Sequence, residues 1–193
     1  MASELQVTTI RGVPTGSNAN QIVIPTGQKI VGTDSGSIVA PGQILQRVIS
    51  KGIATSHENT TSSTLVTSNF LRGVITAKES NSIFCIVAWH GMMHNQAGTI
   101  GFVNLERAMN GGSVKVQTGG SYDGSSYVDL SIGSSSYDNM YFPLSFHYSD
   151  SPNATAGTQI TYAMLFARQG GSNSFYFIHN NGPYYFEITE IAQ

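Results

Sequence analysis

Short runs of alternating apolar and polar residues, bounded by Gly, Asn, Ser or Pro, dominate this chain of 193 residues. In a β-strand, successive side chains point to opposite faces, so such a run has one face to bury and one to expose. No long stretch places apolar residues at the i, i+3, i+4 and i+7 positions of an amphipathic helix. The pattern therefore predicts an all-β protein.

The runs lengthen from Gln43 onward and give about eight to ten strands, with turn signals roughly 8–15 residues apart. This spacing predicts an antiparallel, jelly-roll-like β-sandwich head over residues 43–193. Strand edges in such a fold must be paired or covered, which favours an oligomer. The candidate strands lie within "ILQRVISKGI", "TSSTLVTSNFLRGVITAK", "NSIFCIVAWHGMMH", "GTIGFVNLERAM", "SVKVQTG", "SSYVDLSIG", "MYFPLSFHYS", "TQITYAMLFARQ", "SFYFIHN" and "YYFEITEIA".

Residues 1–42 differ from the rest because their apolar pieces are very short, as in "QIVIPTG" and "SIVAPG". Pieces of this length cannot build a core of their own. They can pair with copies from neighbouring chains or lie along a partner surface. We therefore predict an extended N-terminal arm or shaft of short strands, with a flexible linker as the alternative.

The charge content excludes several classes of function. Only 10% of residues are charged, against roughly 25% in an average soluble domain, and the net charge is −2. The nine basic residues are scattered, so no nucleic-acid partner is predicted. No apolar run is long enough for a membrane helix, and the start "MASELQVTTIRG" lacks the features of a signal peptide. We therefore predict neither membrane insertion nor classical export.

Histidine, serine and cysteine side chains offer little chemistry. His90 and His94 in "AWHGMMHNQ" would share a helix face, but on a strand they stand about 13 Å apart, so no metal site is predicted. Adjacent residues of the "SHEN" piece cannot converge as a triad, and an exposed polar loop is expected there. Cys85, the single cysteine, is expected to be a small buried apolar residue.

Glycine-rich and acidic pieces also lack a reaction centre. "NGGS" and "TGGSYDGSS" have neither the Lys nor the following helix of a phosphate loop, so they are expected to be turns. Most of the eleven acidic residues lie in or beside polar turns. The loop 149–157 in "FHYSDSPNATAGTQITY" contains no base and no partnered nucleophile, and it is expected to connect two strands. We predict no enzyme activity, no catalytic residue and no cofactor.

Tyrosines in the Gly/Ser-rich middle of the chain are the candidate ligand-binding residues. Tyr offers a flat ring and a hydroxyl, which suits a neutral, polar ligand such as a sugar. The alternative is that these rings pack across strands or across a subunit interface. The four residues are Tyr122, Tyr127, Tyr137 and Tyr141.

Several stretches together resemble short tail-fibre or virion structural proteins of bacteriophages, especially cyanophage-like phages of marine and freshwater bacteria. The likeness covers nearly the whole chain except residues 113–141, and its motifs are short and structural. They are "SELQVTTIRG", "IVIPTGQKIVGTDSGSIVAPGQILQ", "TTSSTLVTSNFLRGVITAKESNSIFCIVAWHG", "VNLERAMNGG", "YSDSPNATAGTQITYAM" and "FEITEIA".

The resemblance implies a homotrimeric component of the virion that contacts other tail or capsid proteins, with residues 1–42 serving attachment and trimerisation. The first expectation is a tail fibre or receptor-binding protein that attaches to the host surface. Its candidate receptor-binding residues, which would contact a host surface glycan, are Tyr122, Tyr127, Tyr137 and Tyr141. The alternative is a decoration, or cement, protein that stabilises the capsid shell. An enzyme that degrades surface polysaccharide is a third hypothesis, for which this chain is short. No catalytic residue is carried over from the family.

Overall fold

The computed structural model describes Thr26 and residues 40–95, 100–116, 121–122, 125–126, 128–131, 140–170 and 174–193. Strands and turns account for this part of the chain, which contains no helix, and the predicted all-β class is confirmed. The arm predicted over residues 1–42 falls outside the described residues except for Thr26 and residues 40–42, so it stays a prediction. The described fold belongs to the unit Val39–Gln193.

The strands are, in chain order, β1 (Ile44–Ile53), β2 (Glu58–Thr60), β3 (Val66–Thr76), β4 (Ile83–Asn95), β5 (Ile100–Met109), β6 (Gly112–Val116), β7 (Ser121–Tyr122), β8 (Ser125–Ser126), β9 (Val128–Ser131), β10 (Met140–Asp150), β11 (Gln159–Gly170), β12 (Phe175–Ile178) and β13 (Pro183–Ile191).

Two antiparallel sheets form the sandwich. In the first sheet β13 lies between β1 and β4, β10 pairs with the other side of β4, and β12 and β2 continue the sheet at one end. In the second sheet β11 lies between β3 and β5, and both β6 and β9 pair with the far side of β5. The short strands β7 and β8 pair with each other.

The order of the long strands is that of a jelly roll. We set aside the short strands β2, β7, β8 and β12 and count β6 and β9 as one interrupted strand, which leaves eight long strands. In the first sheet β1, β13, β4 and β10 lie side by side, and they are the first, eighth, third and sixth of these eight. The second sheet contains the second, seventh, fourth and fifth strands. Neighbouring strands of one sheet thus come from distant parts of the chain, as two Greek keys require. The predicted jelly-roll-like sandwich is confirmed.

Alternation along each strand fills the space between the sheets. On β4 the even-numbered positions from Phe84 to His90 are buried, whereas Ile83, Cys85, Val87 and Trp89 lie on the other face. Burying an aromatic or branched aliphatic side chain stabilises a fold by about 1.5–3 kcal/mol. The largest fully buried side chains are Tyr162, Phe84, Phe175, Phe177, Phe186, Leu71, Ile75, Ile86, Leu105, Ile160 and Met164.

Tight turns join the strands where the sequence places Asn-Gly and Pro-Gly. Asn110 and Gly111, between β5 and β6, have φ angles of 52° and 77°, as a two-residue hairpin loop requires. In the Pro41-Gly42 turn, the Gln43 amide donates to the Ala40 carbonyl at 3.0 Å. The Gly42 amide also donates to the Ala192 carbonyl at 2.8 Å. The chain therefore enters the sandwich beside its last strand.

Two local expectations were wrong. Glu58, expected in an exposed loop, begins β2 and is buried. Ser68 Oγ and the Asn69 amide each donate to its carboxylate at 2.5 Å, and these hydrogen bonds compensate for the loss of contact with water. Cys85, expected to be buried, is only partly buried on the outward side of β4, with Sγ 3.5 Å from Ser149 Oγ. His57 in the same "SHEN" piece is exposed, as expected.

Candidate binding face

Of the four candidate receptor-binding tyrosines, the described residues include the backbone of two. Tyr122 pairs with Ser125 in the β7–β8 pair, and Tyr141 of β10 pairs with His94 of β4. Tyr127 and Tyr137 lie outside the described residues. Whether the four side chains form one site therefore stays a prediction.

The histidine pair on β4 follows strand geometry. His90 is fully buried in the sandwich, where its ring meets Phe177 edge-on at 5.1 Å between centroids. His94 is four residues further along the same strand. Within the described ranges, no group of three His, Cys, Asp or Glu residues could hold a metal ion. The described residues likewise include no helix able to cross a membrane.

A polar network that sequence analysis did not predict joins the two sheets through the interior. Asp150, at the end of β10, accepts two hydrogen bonds from Arg107 Nη1 of β5, each at 2.7 Å. The Tyr162 hydroxyl of β11 donates to the same carboxylate at 2.7 Å. Burial, followed by this hydrogen bond, raises the pKa of Tyr162 far above its ordinary value. A phenol held protonated beside a paired carboxylate cross-links the sheets and offers no base.

A second buried carboxylate fixes the connection between β3 and β4. Glu190 of β13 is fully buried. It accepts from the Lys78 amide at 2.8 Å, from the Glu79 amide at 3.1 Å and from Gln46 Nε2 at 2.5 Å. These donors satisfy the carboxylate, which leaves it a structural role.

The outer face of the first sheet carries the strongest candidate for a binding function. Cross-strand pairing between β1, β13, β4 and β10 arranges its side chains in rows. The rows are Lys51–Tyr185–Trp89–Ser145, then Ile49–Glu187–Val87–His147, then Arg47–Thr189–Cys85–Ser149. We call these residues, together with Ile53 and Pro183, the Trp89 face.

Large apolar side chains on the Trp89 face remain in contact with solvent. The exposed fractions are 38% for Trp89, 45% for Ile49 and 57% for Ile53. An open groove of about 590 Å³ lies beside Trp89 and Ile53 and is lined by Lys51, Gly52, Ile53, Trp89, Tyr184 and Tyr185. This face therefore exposes aromatic and aliphatic side chains next to polar ones.

Gly91 permits the packing beside this groove. A Cβ atom at position 91 would lie 2.7 Å from Pro183 Cγ and 3.4 Å from a ring carbon of Trp89. The first distance is too short for a carbon–carbon contact, so any side chain would displace Pro183. The absence of a side chain at Gly91 thus lets Trp89 lie close to Pro183.

Glu187 is the acidic group of the Trp89 face, and its neighbours keep it ionised. Arg47 Nε lies 3.1 Å from its carboxylate, Thr189 Oγ1 donates at 2.8 Å, and the Tyr185 hydroxyl also donates. Burial pushes the pKa of Glu187 upward, but the hydrogen bonds from Tyr185 and Thr189 and the charge of Arg47 outweigh it, so the pKa lies below its ordinary value. The hydrogen bond to Glu187 is the main cause of the raised pKa of Tyr185. Neither group is poised for proton transfer near neutral pH.

Sequence analysis missed this face, although β4 contains a pattern that indicates it. The run "IFCIVAW" is apolar at nearly every position, and a strand of that kind is usually covered on both faces. The sandwich covers one of them. The other exposed large apolar residues of the described chain are Ile44 at the start of β1, Val66 and Val74 near opposite ends of β3, and Val114 on β6.

Comparison with known proteins finds distant structural likenesses. No protein-family model matches this chain, and no curated protein matches it. The solved structure of the infectious bursal disease virus Gx strain is similar, with a TM-score of 0.41 and 11% identity over 84% of this chain and 37% of that chain. The crystal structure of the infectious bursal disease virus VP2 subviral particle has a TM-score of 0.43 and 10% identity, over 86% of this chain and 40% of that chain. The chain thus spans about two fifths of the length of these chains or less.

Proposed function

We propose that this chain is a structural protein of a virus particle that works through binding and assembly rather than through catalysis. The observation that carries the proposal is the Trp89 face, which exposes aromatic and aliphatic side chains on the outer side of a jelly-roll sheet. Jelly rolls recur in viral capsid proteins, lectins and cupins. A cupin-like reaction centre would need a metal-binding set in the interior, and the described residues include no such set. Their interior is filled by apolar side chains and by hydrogen-bonded carboxylates.

The more specific proposal is a homotrimeric tail fibre or receptor-binding protein that contacts a glycan on the host surface. Its support is the resemblance of the sequence motifs to short phage tail-fibre and virion proteins. Residues 1–42 would attach the protein to the particle, and residues 43–193 would form the head. Three heads on one fibre would turn several weak contacts into firm attachment, since a tethered site rebinds at high local concentration.

The location of the protein on the particle tests this proposal. Purified particles of the encoding virus are labelled with a gold-conjugated antibody raised against residues 43–193 and imaged by electron microscopy. Label at the tail is expected. Regular label over the shell would instead establish the second candidate, a capsid decoration protein. Absence of the chain from purified particles, by label and by mass spectrometry, would overturn both.

Catalysis is tested separately. The purified protein is incubated with surface polysaccharide from the host, and released oligosaccharides are quantified by mass spectrometry against a heat-denatured sample. No release is expected. Release that depends on the folded protein would contradict the non-enzymatic proposal.

A further inference from the structure

The Trp89 face has the composition of a contact that is buried in an assembly. We infer that its partner is a second copy of this chain. The inference deepens the proposed function and rests on it, because it names the surface through which the structural protein assembles. Its support comes from exposure, charge, area and the sequence of β4.

Three of the seven exposed large apolar residues of the described chain lie on this face. They are Trp89, Ile49 and Ile53, and Tyr185 lines a groove with two of them. Trp and Tyr are enriched among the residues that contribute most to protein–protein contacts, where they fill closely packed pockets. Exposed apolar residues that lie together and are surrounded by polar ones mark an interaction site, whereas single exposed apolar residues do not.

The charges of the face favour a partner that is itself nearly neutral. Arg47 and Glu187 form an ion pair and compensate each other, which leaves the Lys51 ammonium as the uncompensated charge. A lysine can lay its aliphatic stem along an aromatic ring and keep its ammonium group at the rim of a contact. A highly charged partner would gain little here, but another copy of a chain with 10% charged residues and a net charge of −2 fits.

Aliphatic side chains at the β1 side of the face favour protein over a glycan as the occupant. Ile49, Ile53 and Pro183 offer no hydrogen-bond donor or acceptor to sugar hydroxyls, and a hydroxyl buried against them without a partner is costly. Exposed polar side chains of the same face, such as Ser145 and Ser149, can bind a hydroxyl, so a glycan is kept as one outcome of the test. On the neighbouring strand, "IFCIVAW" of β4 is apolar toward both faces. A strand with this sequence is expected to be covered on both sides. Protein on the outer side of the sheet provides that cover.

The size of the face is sufficient to supply a large part of a stable contact. Four strands about 4.8 Å apart, over seven residues at about 3.4 Å each, give a flat footprint of about 19 by 24 Å, or about 450 Å². Stable contacts bury about 800 Å² of accessible surface on each partner, and the accessible surface of protruding side chains is larger than their flat footprint. The homotrimer expected from the sequence resemblance is the assembly that the experiment below tests.

Charge insertion on the face tests the inference. Ile49→Glu and Ile53→Glu each place a carboxylate at an exposed position of the Trp89 face. Val74→Glu is the matched control for both variants, because this residue is 43% exposed and lies on the second sheet. The molar mass of the full-length chain is measured by sedimentation equilibrium over a wide concentration range. Circular dichroism and thermal unfolding verify that each variant is folded.

Wild type and control are expected at three times the mass of the 20.6 kDa chain. The two Trp89-face variants should need a protein concentration about 100-fold higher than the wild type to form the same fraction of trimer. Loss of an important contact residue commonly has an effect of this size. If either variant does not fold, Ile49→Ser and Ile53→Ser replace them with a smaller expected shift in the same direction. A wild type that is monomeric at all concentrations would overturn the inference, and so would folded Trp89-face variants with wild-type mass.

Two combinations of results separate this inference from the proposed function. If the protein is found on particles but the Trp89-face variants keep their mass, the contact surface is wrong and the virion role stands. If the variants dissociate but the protein is absent from particles, self-association stands and the virion role fails. A monomeric wild type that binds immobilised neutral oligosaccharides, and loses that binding in Trp89→Ala, would assign the face to a glycan.

Discussion

Replacement of Asp150 by alanine would remove the anion at the centre of the network that joins the two sheets. The carboxylate, 8% exposed, accepts two hydrogen bonds from Arg107 and one from Tyr162, all at 2.7 Å. In the variant the Arg107 guanidinium would lose its ion-pair partner, and the Tyr162 hydroxyl would lose its acceptor. The hydroxyl would then lie in the interior without a partner, and the guanidinium would be solvated only in part.

The magnitude follows from the burial of the pair. Removing one partner of a buried ion pair costs about 3–5 kcal/mol in the free energy of unfolding. Arg107 retains 18% exposure, so water can partly solvate it, and we expect the lower end, about 3 kcal/mol. For a domain of this size that corresponds to a fall of about 6–12 °C in Tm. Tyr162→Phe keeps the ion pair and loses one hydrogen bond to a charged group, which costs about 1.5–3 kcal/mol.

Urea unfolding followed by the fluorescence of Trp89, the single tryptophan, measures both variants. Protein concentration must be equal in all samples, because self-association makes the apparent stability depend on concentration. The dependence of the unfolding free energy on urea should be unchanged, since the same surface is exposed on unfolding. A loss below about 1 kcal/mol for Asp150→Ala would refute the reasoning, because that is an average effect for any substitution. A larger loss for Tyr162→Phe than for Asp150→Ala would refute it too.

Three further predictions concern packing, pH and backbone conformation. Gly101→Ala would place Cβ 2.0 Å from a ring carbon of Phe175 and should lower the free energy of unfolding by about 1–3 kcal/mol or more. In the control Gly112→Ala the nearest atom to Cβ lies at 3.9 Å, and urea unfolding should detect a much smaller loss. The pKa of Glu187 is lowered in the folded state, so its ionised carboxylate stabilises the fold. This contribution to the free energy of unfolding is present above the unfolded pKa of about 4.3 and is lost as pH falls through the folded pKa. The pH profile of the unfolding free energy should lose that acid-side component in Glu187→Gln, and an unchanged profile would contradict the assignment. Asn153 has a φ of 52°, a conformation that costs most side chains energy. Asn153→Ala should therefore lower the free energy of unfolding by about 1 kcal/mol, while Asn153→Gly should be nearly neutral. Equal losses in the two variants would show that the backbone angle is not the cause.

Much of the fold could be predicted from local patterns. The run "ILQRVISKGI" coincides with β1, and the loop between Asp150 and Gln159 connects two strands as expected. These elements are defined by alternation and by turn residues that act over a few positions, so sequence is sufficient for them. β2 was missed because its three residues are held by pairing with β12 and by the buried hydrogen bonds of Glu58, neither of which leaves a periodic pattern.

The polar networks and the Trp89 face could not be predicted in the same way. Asp150 and Arg107 are 43 residues apart in sequence, and their contact depends on β10 and β5 packing across the sandwich. An Asp beside a Pro-containing loop has the same local sequence whether it is a turn former or a buried ion-pair partner. The Trp89 face combines β1, β4, β10 and β13, so its composition is visible only after the strand order is known. The apolar residues at the outward positions of β4 are the part of the Trp89 face that the sequence alone indicates.

The hydrogen bonds between residues 42–43 and Ala192 bring the beginning and the end of the sandwich together. A domain whose first and last strands are neighbours can be inserted into a surface loop of another protein without distorting that protein, because its two ends lie close together. The same arrangement makes residues 40–193 a candidate for circular permutation, with new termini in an exposed turn such as Asn110–Gly111. The jelly roll is thus a module that could be moved between proteins while its strands remain unchanged.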